Sequence, residues 1–171
     1  MKLGIVSKLI KWALALFFSS TILVVVAYRF IPVYVTPLMV IRCFQQVADG
    51  ESMKMRHSWK PLDDISRSLP VAVMASEDQR FLLHHGFDFG AIQKAVHQNK
   101  RSSKRKYGAS TISQQTAKNV FLWPGRSWVR KGFEVYFTAL IETLSRSIRC
   151  GSDIYTSGVT RLFFAAPILL L

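Results

Sequence analysis

At 171 residues the chain has room for one modest domain rather than two. Lys and Arg outnumber Asp and Glu by 23 to 10, a net charge of +13 that points to an anionic partner: phospholipid headgroups, a pyrophosphate-bearing substrate or nucleic acid. Two cysteines, Cys43 and Cys150, make no disulfide framework, and their spacing favours two unrelated thiols. His57, His84, His85 and His97 have no metal-ligand spacing.

The N-terminus carries an uncharged run from Trp12 to Tyr28, lengthened by Leu9, Ile10, Phe30 and Ile31. That is long enough to cross a bilayer. Lys2, Lys8 and Lys11 precede it, which by the positive-inside rule places the N-terminus in the cytoplasm. The apolar run exceeds a signal-peptide core and no small-residue cleavage site follows, so a retained anchor is expected over a cleaved leader. The domain plan is therefore a cytoplasmic N-terminus at 1–11, an anchor at 12–31, a juxtamembrane linker at 32–61, a helical domain at 62–142 and a tail at 143–171. With the domain outside the cytoplasm, nucleic acid drops out as a partner.

Pro32 and Pro37 flank an extended exit, and Val40 to Val47 suits a short helix. Asp49 to Pro61 is polar and reads as linker. A helix is predicted over Val71 to Leu83, stopped by Gly86. Asp88 caps a second helix from Phe89 to about Asn99. A basic loop, Lys100 to Lys106, follows; it suits a solvated connection or a contact with anionic lipid. Thr111 and Gln114 form a capping-box pattern that opens a third helix, ended by Trp123-Pro124-Gly125. Ser127 caps a long amphipathic helix whose apolar stripe is read as Val129, Phe133, Tyr136, Phe137, Leu140, Ile141 and Leu144. No strand pattern is strong, and the fold class expected is all-α.

Three places carry candidate chemistry. Glu77 sits among Val71, Val73, Met74, Ala75 and Phe81, and a carboxylate in apolar surroundings suits a general base or acid. An ordinary exposed glutamate is the competing reading. Glu134 follows Arg130 and Lys131; an intrahelical ion pair is the plain alternative, worth a few tenths of a kcal/mol. The helix start at Ser110 and Thr111 offers free N–H groups, with Gln114, Gln115, Lys118 and Arg126 close by, a set able to hold a diphosphate leaving group. Simple N-capping explains the hydroxyls equally well. Ser103-Lys104-Arg105-Lys106 matches Ser-x-x-Lys formally, but no companion motif is present, so no transpeptidase is read into it.

The segment Glu77-Asp78-Gln79-Arg80-Phe81-Leu82-Leu83-His84-His85-Gly86, followed by Gly108-Ala109-Ser110-Thr111-Ile112-Ser113-Gln114-Gln115, resembles the first two motifs of the peptidoglycan glycosyltransferases. Arg130-Lys131-Gly132-Phe133-Glu134 resembles their third, and Asn119 with Leu122-Trp123-Pro124-Gly125-Arg126 extends the likeness to the monofunctional enzymes of Gram-negative bacteria. The resemblance covers about Leu69 to Glu142. It implies a lysozyme-like helical fold with a small membrane-embedded part, in the inner membrane with the domain periplasmic. The implied activity is polymerisation of lipid II, the undecaprenyl-diphosphate disaccharide-pentapeptide, into β-1,4 glycan for the cell wall.

Within that resemblance Glu77 is the base and Glu134 assists at the diphosphate, with a divalent cation such as Mg2+ as the one cofactor it allows. Ser110, Thr111, Gln114, Gln115, Lys118, Arg126 and Arg130 would bind substrate, and Asp78, Phe81, His84 and Gly86 would be structural. Implied partners are lipid II, nascent glycan, the membrane, and divisome or penicillin-binding proteins. A glycan-cleaving lysozyme-like enzyme and a non-catalytic lipid II or divisome binder are the alternatives. After Glu142 the sequence departs from the family's fourth and fifth motifs, which reads as out-of-frame sequence over 143–171 and predicts weak or absent turnover by this form.

Overall fold

A computed structural model describes residues 2–28, 30–31, 33–53, 64–66, 68–101 and 107–146. It divides into two compact units, one preceding Val33 and one from Val33 onward. The basic stretch 102–106, the linker residues 54–63 and the expected tail from 147 on lie outside the described residues, as does Cys150. Cys43 is a free thiol.

The first unit is one helix, α1 (Lys2–Ala27), of which Gly4–Ala27 is long and apolar enough to cross a membrane. It starts and ends earlier than the run read from sequence, taking in Lys8 and Lys11. Val6, Leu9, Ile10, Trp12, Leu14, Phe18 and Ile22 are all exposed at positions that go round the helix, so it is apolar around its circumference, as a helix with a lipid solvent must be. Its hydroxyls are satisfied internally: Ser7, Ser19, Ser20 and Thr21 donate to carbonyls three or four residues back.

Five helices make up the described part of the second unit. Thr36, extended at φ −118° and ψ 154°, accepts from Met39 N and starts α2 (Pro37–Ala48), with proline at the first turn where its missing N–H costs nothing. Next come α3 (Ser68–Glu77), α4 (Phe89–Arg101), α5 (Ile112–Phe121) and α6 (Trp128–Arg146). The all-helical expectation holds among the described residues.

The central helix is α5. It packs against α6 on one side and α2 on another. Ile112, Ala117, Val120, Leu122, Phe137 and Ile141 are buried there, and Phe121 stacks on Phe137 with ring centroids 4.6 Å apart. A fully buried side chain such as Ile141 contributes about 1.5–3 kcal/mol.

α2 starts three residues earlier than the Val40 to Val47 read from sequence, and both ends of α3 differ. The helix expected over Val71 to Leu83 is Ser68–Glu77. Beyond it Phe81 N bonds Asp78 O at 3.0 Å and Leu83 N bonds Arg80 O at 2.8 Å, tighter three-residue turns. Phe81 and His84 are both buried in these turns.

The stripe expected on α6 is also shifted. Val129 is 67% exposed, while Glu134, Phe137, Thr138, Ile141 and Glu142 are buried. Hydrophobic periodicity misplaces the face because three of these five side chains are polar, and each has a partner. Glu134 is paired with Arg130 and Lys131. Thr138 Oγ1 donates to Glu134 O at 2.6 Å. Ser113 Oγ donates to Glu142 Oε1 at 2.5 Å.

Candidate active site

Glu77 and Asp78 are neighbours with opposite fates. The end of α3 leaves Glu77 exposed, so the apolar enclosure expected of it is absent. Its Oε2 accepts from Gln115 Nε2 at 3.1 Å, a bond from α3 to the first turn of α5. Asp78 is buried. Its Oδ1 lies 2.8 Å from His84 Nε2 and its Oδ2 accepts from Ile112 N at 3.2 Å. An ionised carboxylate only accepts, so the His84 ring nitrogen donates here. Asp78 thus fixes the start of α5 to the turn that follows α3, which sets the distance between Glu77 and Gln115.

The same start is closed by a full capping box: Gln114 N donates to Thr111 Oγ1 at 3.3 Å, and Thr111 N donates to Gln114 Oε1 at 3.1 Å. Thr111 Oγ1 in turn donates to Gly86 O at 2.6 Å. The anion site expected at this helix start is therefore not open, since Asp78 and the cap take up N–H groups that an anion would need. Thr111 and Gln114 are turned inward as structural groups, and Ser110 is exposed. Phe81, His84 and Gly86 are buried in the same region, with the Phe81 and His84 rings edge to face at 6.2 Å.

Gly86 has φ +79°, and a Cβ there would lie 2.7 Å from Glu142 Cγ and 3.0 Å from Thr138 Cγ2. Only glycine meets both demands. At the foot of α4, Asp88 Oδ1 accepts from Ala91 N at 2.9 Å and from Arg80 Nη1 at 3.2 Å. The Ala91 N–H, with the Arg80 guanidinium, holds the Asp88 carboxyl below its ordinary value of 3.8.

The cations gather elsewhere, one turn further along α5. Gln115 and Lys118 are three apart and share a face. Lys118, the Trp123-to-Arg126 turn, Arg130 from α6 and Arg42 from α2 line an open cavity of about 310 Å³. Arg126 and Lys118 are exposed to it. Arg130 is held from behind by Glu134, whose Oε2 accepts from Arg130 Nη1 at 3.4 Å and whose other oxygen accepts from Lys131 Nζ. Glu134 is buried.

Sequence reasoning placed Lys118, Arg126 and Arg130 in one site, and the fold brings them together. It missed Arg42, which sits far upstream with no local motif to mark it. Glu134 supplies one carboxylate, already paired twice. Among the described residues no three His, Cys, Asp or Glu side chains converge to hold a metal ion. The described side chains thus do not by themselves form a site for a divalent cation.

An open carboxylate, Glu77 of α3, bonded to one turn of the central helix, with a cation-lined cavity at the next turn, is a set of parts suited to group transfer. The chain belongs to the transglycosylase family, whose model matches residues 44–147. It is 55% identical over 168 aligned residues to the biosynthetic peptidoglycan transglycosylase of Bacteroides thetaiotaomicron, covering 91% of this chain and 67% of that protein. To the proteins of the same name from Bdellovibrio bacteriovorus and Caulobacter vibrioides it is 56% and 50% identical, covering 54% and 61% of their lengths. The chain thus spans between about half and two thirds of these relatives. Its apolar N-terminal helix and its family fit a membrane-anchored protein.

Proposed function

We propose that this chain carries the site of a peptidoglycan glycosyltransferase that polymerises lipid II into β-1,4 glycan and releases undecaprenyl diphosphate. Supporting this are the family, the names of the relatives, and above all the placement of the Glu77–Gln115 pair one helical turn from the Lys118–Arg126 cavity.

Glu77 accepts the proton of the acceptor's 4-hydroxyl while Gln115 orients its free oxygen. The hydroxyl oxygen then attacks the anomeric carbon of the donor and forms the new C–O bond. The bond from that carbon to the diphosphate oxygen breaks with inversion, and the electron pair leaves on the diphosphate. A leaving group already charged needs electrostatic support more than a proton. Lys118, Arg126 and Arg130 supply it, and Glu134 acts through Arg130 by fixing its guanidinium. The leaving-group oxygen therefore requires no second carboxylic acid, in contrast to glycan cleavage by two carboxyl groups.

The site lies in a periplasmic domain on an inner-membrane anchor whose N-terminus is cytoplasmic. Lipid II and growing glycan are its substrates, with divisome or penicillin-binding proteins as candidate partners. Conversion of lipid II by the parent and by Glu77→Gln tests the reading. It is run on the 171-residue chain and on a chimera that continues after Glu142 with the Bacteroides sequence. Glycan from the parent, lowered at least about a hundredfold in E77Q, supports it. Release of soluble muropeptides from cell walls, or equal glycan yields from the chimera with and without E77Q, contradicts it.

A further inference from the structure

We propose that Arg42, on helix α2, is a fourth substrate-binding cation of the cavity and contacts the diphosphate of the lipid-linked donor. The inference rests on the reading of that cavity as the diphosphate site and adds a residue which neither the motifs nor the family resemblance marks.

Four observations carry it. Arg42 lines the cavity together with Lys118, Arg126 and Arg130, and no acidic residue is among the lining side chains. Of these four cations, Arg130 alone is paired with a carboxylate among the described residues; Arg42 has only a long bond, 3.4 Å, from Nη1 to Gln45 Oε1. α2 packs directly on α5, so the backbone that carries Arg42 is fixed relative to Lys118. And Arg42 is exposed, so its guanidinium is free to turn toward a ligand.

Like charges held together without counter-charges repel, and a bound anion relieves that repulsion. The ligand must then carry more than one negative charge. A guanidinium is suited to it because its planar fork meets two phosphate oxygens at once. Leu38, one turn before Arg42 on α2, together with Trp123 and Pro124, gives the cavity apolar wall beside the cations. That combination fits an isoprenyl diphosphate, whose charged head continues into hydrocarbon, better than a free phosphate.

The test uses the detergent-purified full chain and titrates farnesyl diphosphate by calorimetry, with phosphatidylglycerol in the same detergent as the second ligand. The parent is compared with R42Q, R42K, K118Q and R126Q. R42Q is expected to weaken farnesyl diphosphate binding about tenfold, as K118Q and R126Q do. R42K should recover part of that loss, and phosphatidylglycerol binding should not change. Weakening by K118Q and R126Q with R42Q within about twofold of the parent overturns the role of Arg42 and leaves the cavity reading standing. No loss in any variant overturns the cavity reading itself. An equal loss for phosphatidylglycerol overturns the proposal in favour of a general contact of α2 with anionic lipid.

Discussion

Asp78 Oδ1 lies 2.8 Å from His84 Nε2, both groups buried, while the second oxygen of the same carboxylate accepts from Ile112 N at 3.2 Å. One side chain thereby joins the turn after α3 to the start of α5, and Glu77, its neighbour, is left facing out. Replacing Asp78 by alanine removes the acceptor for two buried donors. D78A is expected to destabilise the domain by about 3–5 kcal/mol, read as a lowered denaturant midpoint. A variant as stable as the parent would show that the contact carries little.

Gly86 has a comparable structural role with a different cause. G86A must adopt a positive φ and also push a methyl into Glu142 Cγ and Thr138 Cγ2. Backbone strain of about 1–2 kcal/mol adds to overpacking of about 1–3 kcal/mol. A total loss of about 2–5 kcal/mol is expected in the same denaturation measurement.

Gln115 separates support from chemistry. Its amide donates to Glu77 Oε2 from a partly exposed position. Q115A is expected to leave folding unchanged and slow glycan formation about tenfold through a less well oriented base. The check is the initial rate of lipid II conversion by the chimera that continues after Glu142, alongside the denaturation midpoint. A fall in both together would make Gln115 structural instead.

Asp88 gives a pH signature. Its folded pKa lies below 3.8, so its contribution to stability is fully present above the ordinary carboxylate range and is lost as pH falls through the depressed value. D88N keeps an amide oxygen to cap α4 but not the charge near Arg80. The stability difference between parent and D88N should be widest near about pH 5 and shrink toward about pH 2. A difference constant over that range would rule out the charge as its source.

Much of this was legible because local chemistry decided it. Thr111 with Gln114, Asp88 ahead of Phe89 and Ser127 ahead of α6 are caps whose side chains act within three residues, and all three are present. The end of α3 was not legible, since Asp78 is drawn inward by Ile112, which is distant in sequence. The inward face of α6 was misread because Glu134, Thr138 and Glu142 are buried on partners that periodicity does not see. Arg42 joins the cavity only because α2 packs on α5, a tertiary fact with no local signal. The expected openness of the α5 start failed for the same reason: its N–H groups were counted as free before their long-range acceptor was known.

The most direct measurement is the affinity of the detergent-purified full chain for lipid II, compared among the parent, E77Q and the double variant K118Q/R126Q. Binding by E77Q equal to the parent, with a loss of at least about thirtyfold in the double variant, is expected if the cation cavity holds the diphosphate and Glu77 acts only on the acceptor. Undiminished binding by the double variant would contradict it, because the diphosphate would then be held somewhere other than between α2, α5 and α6.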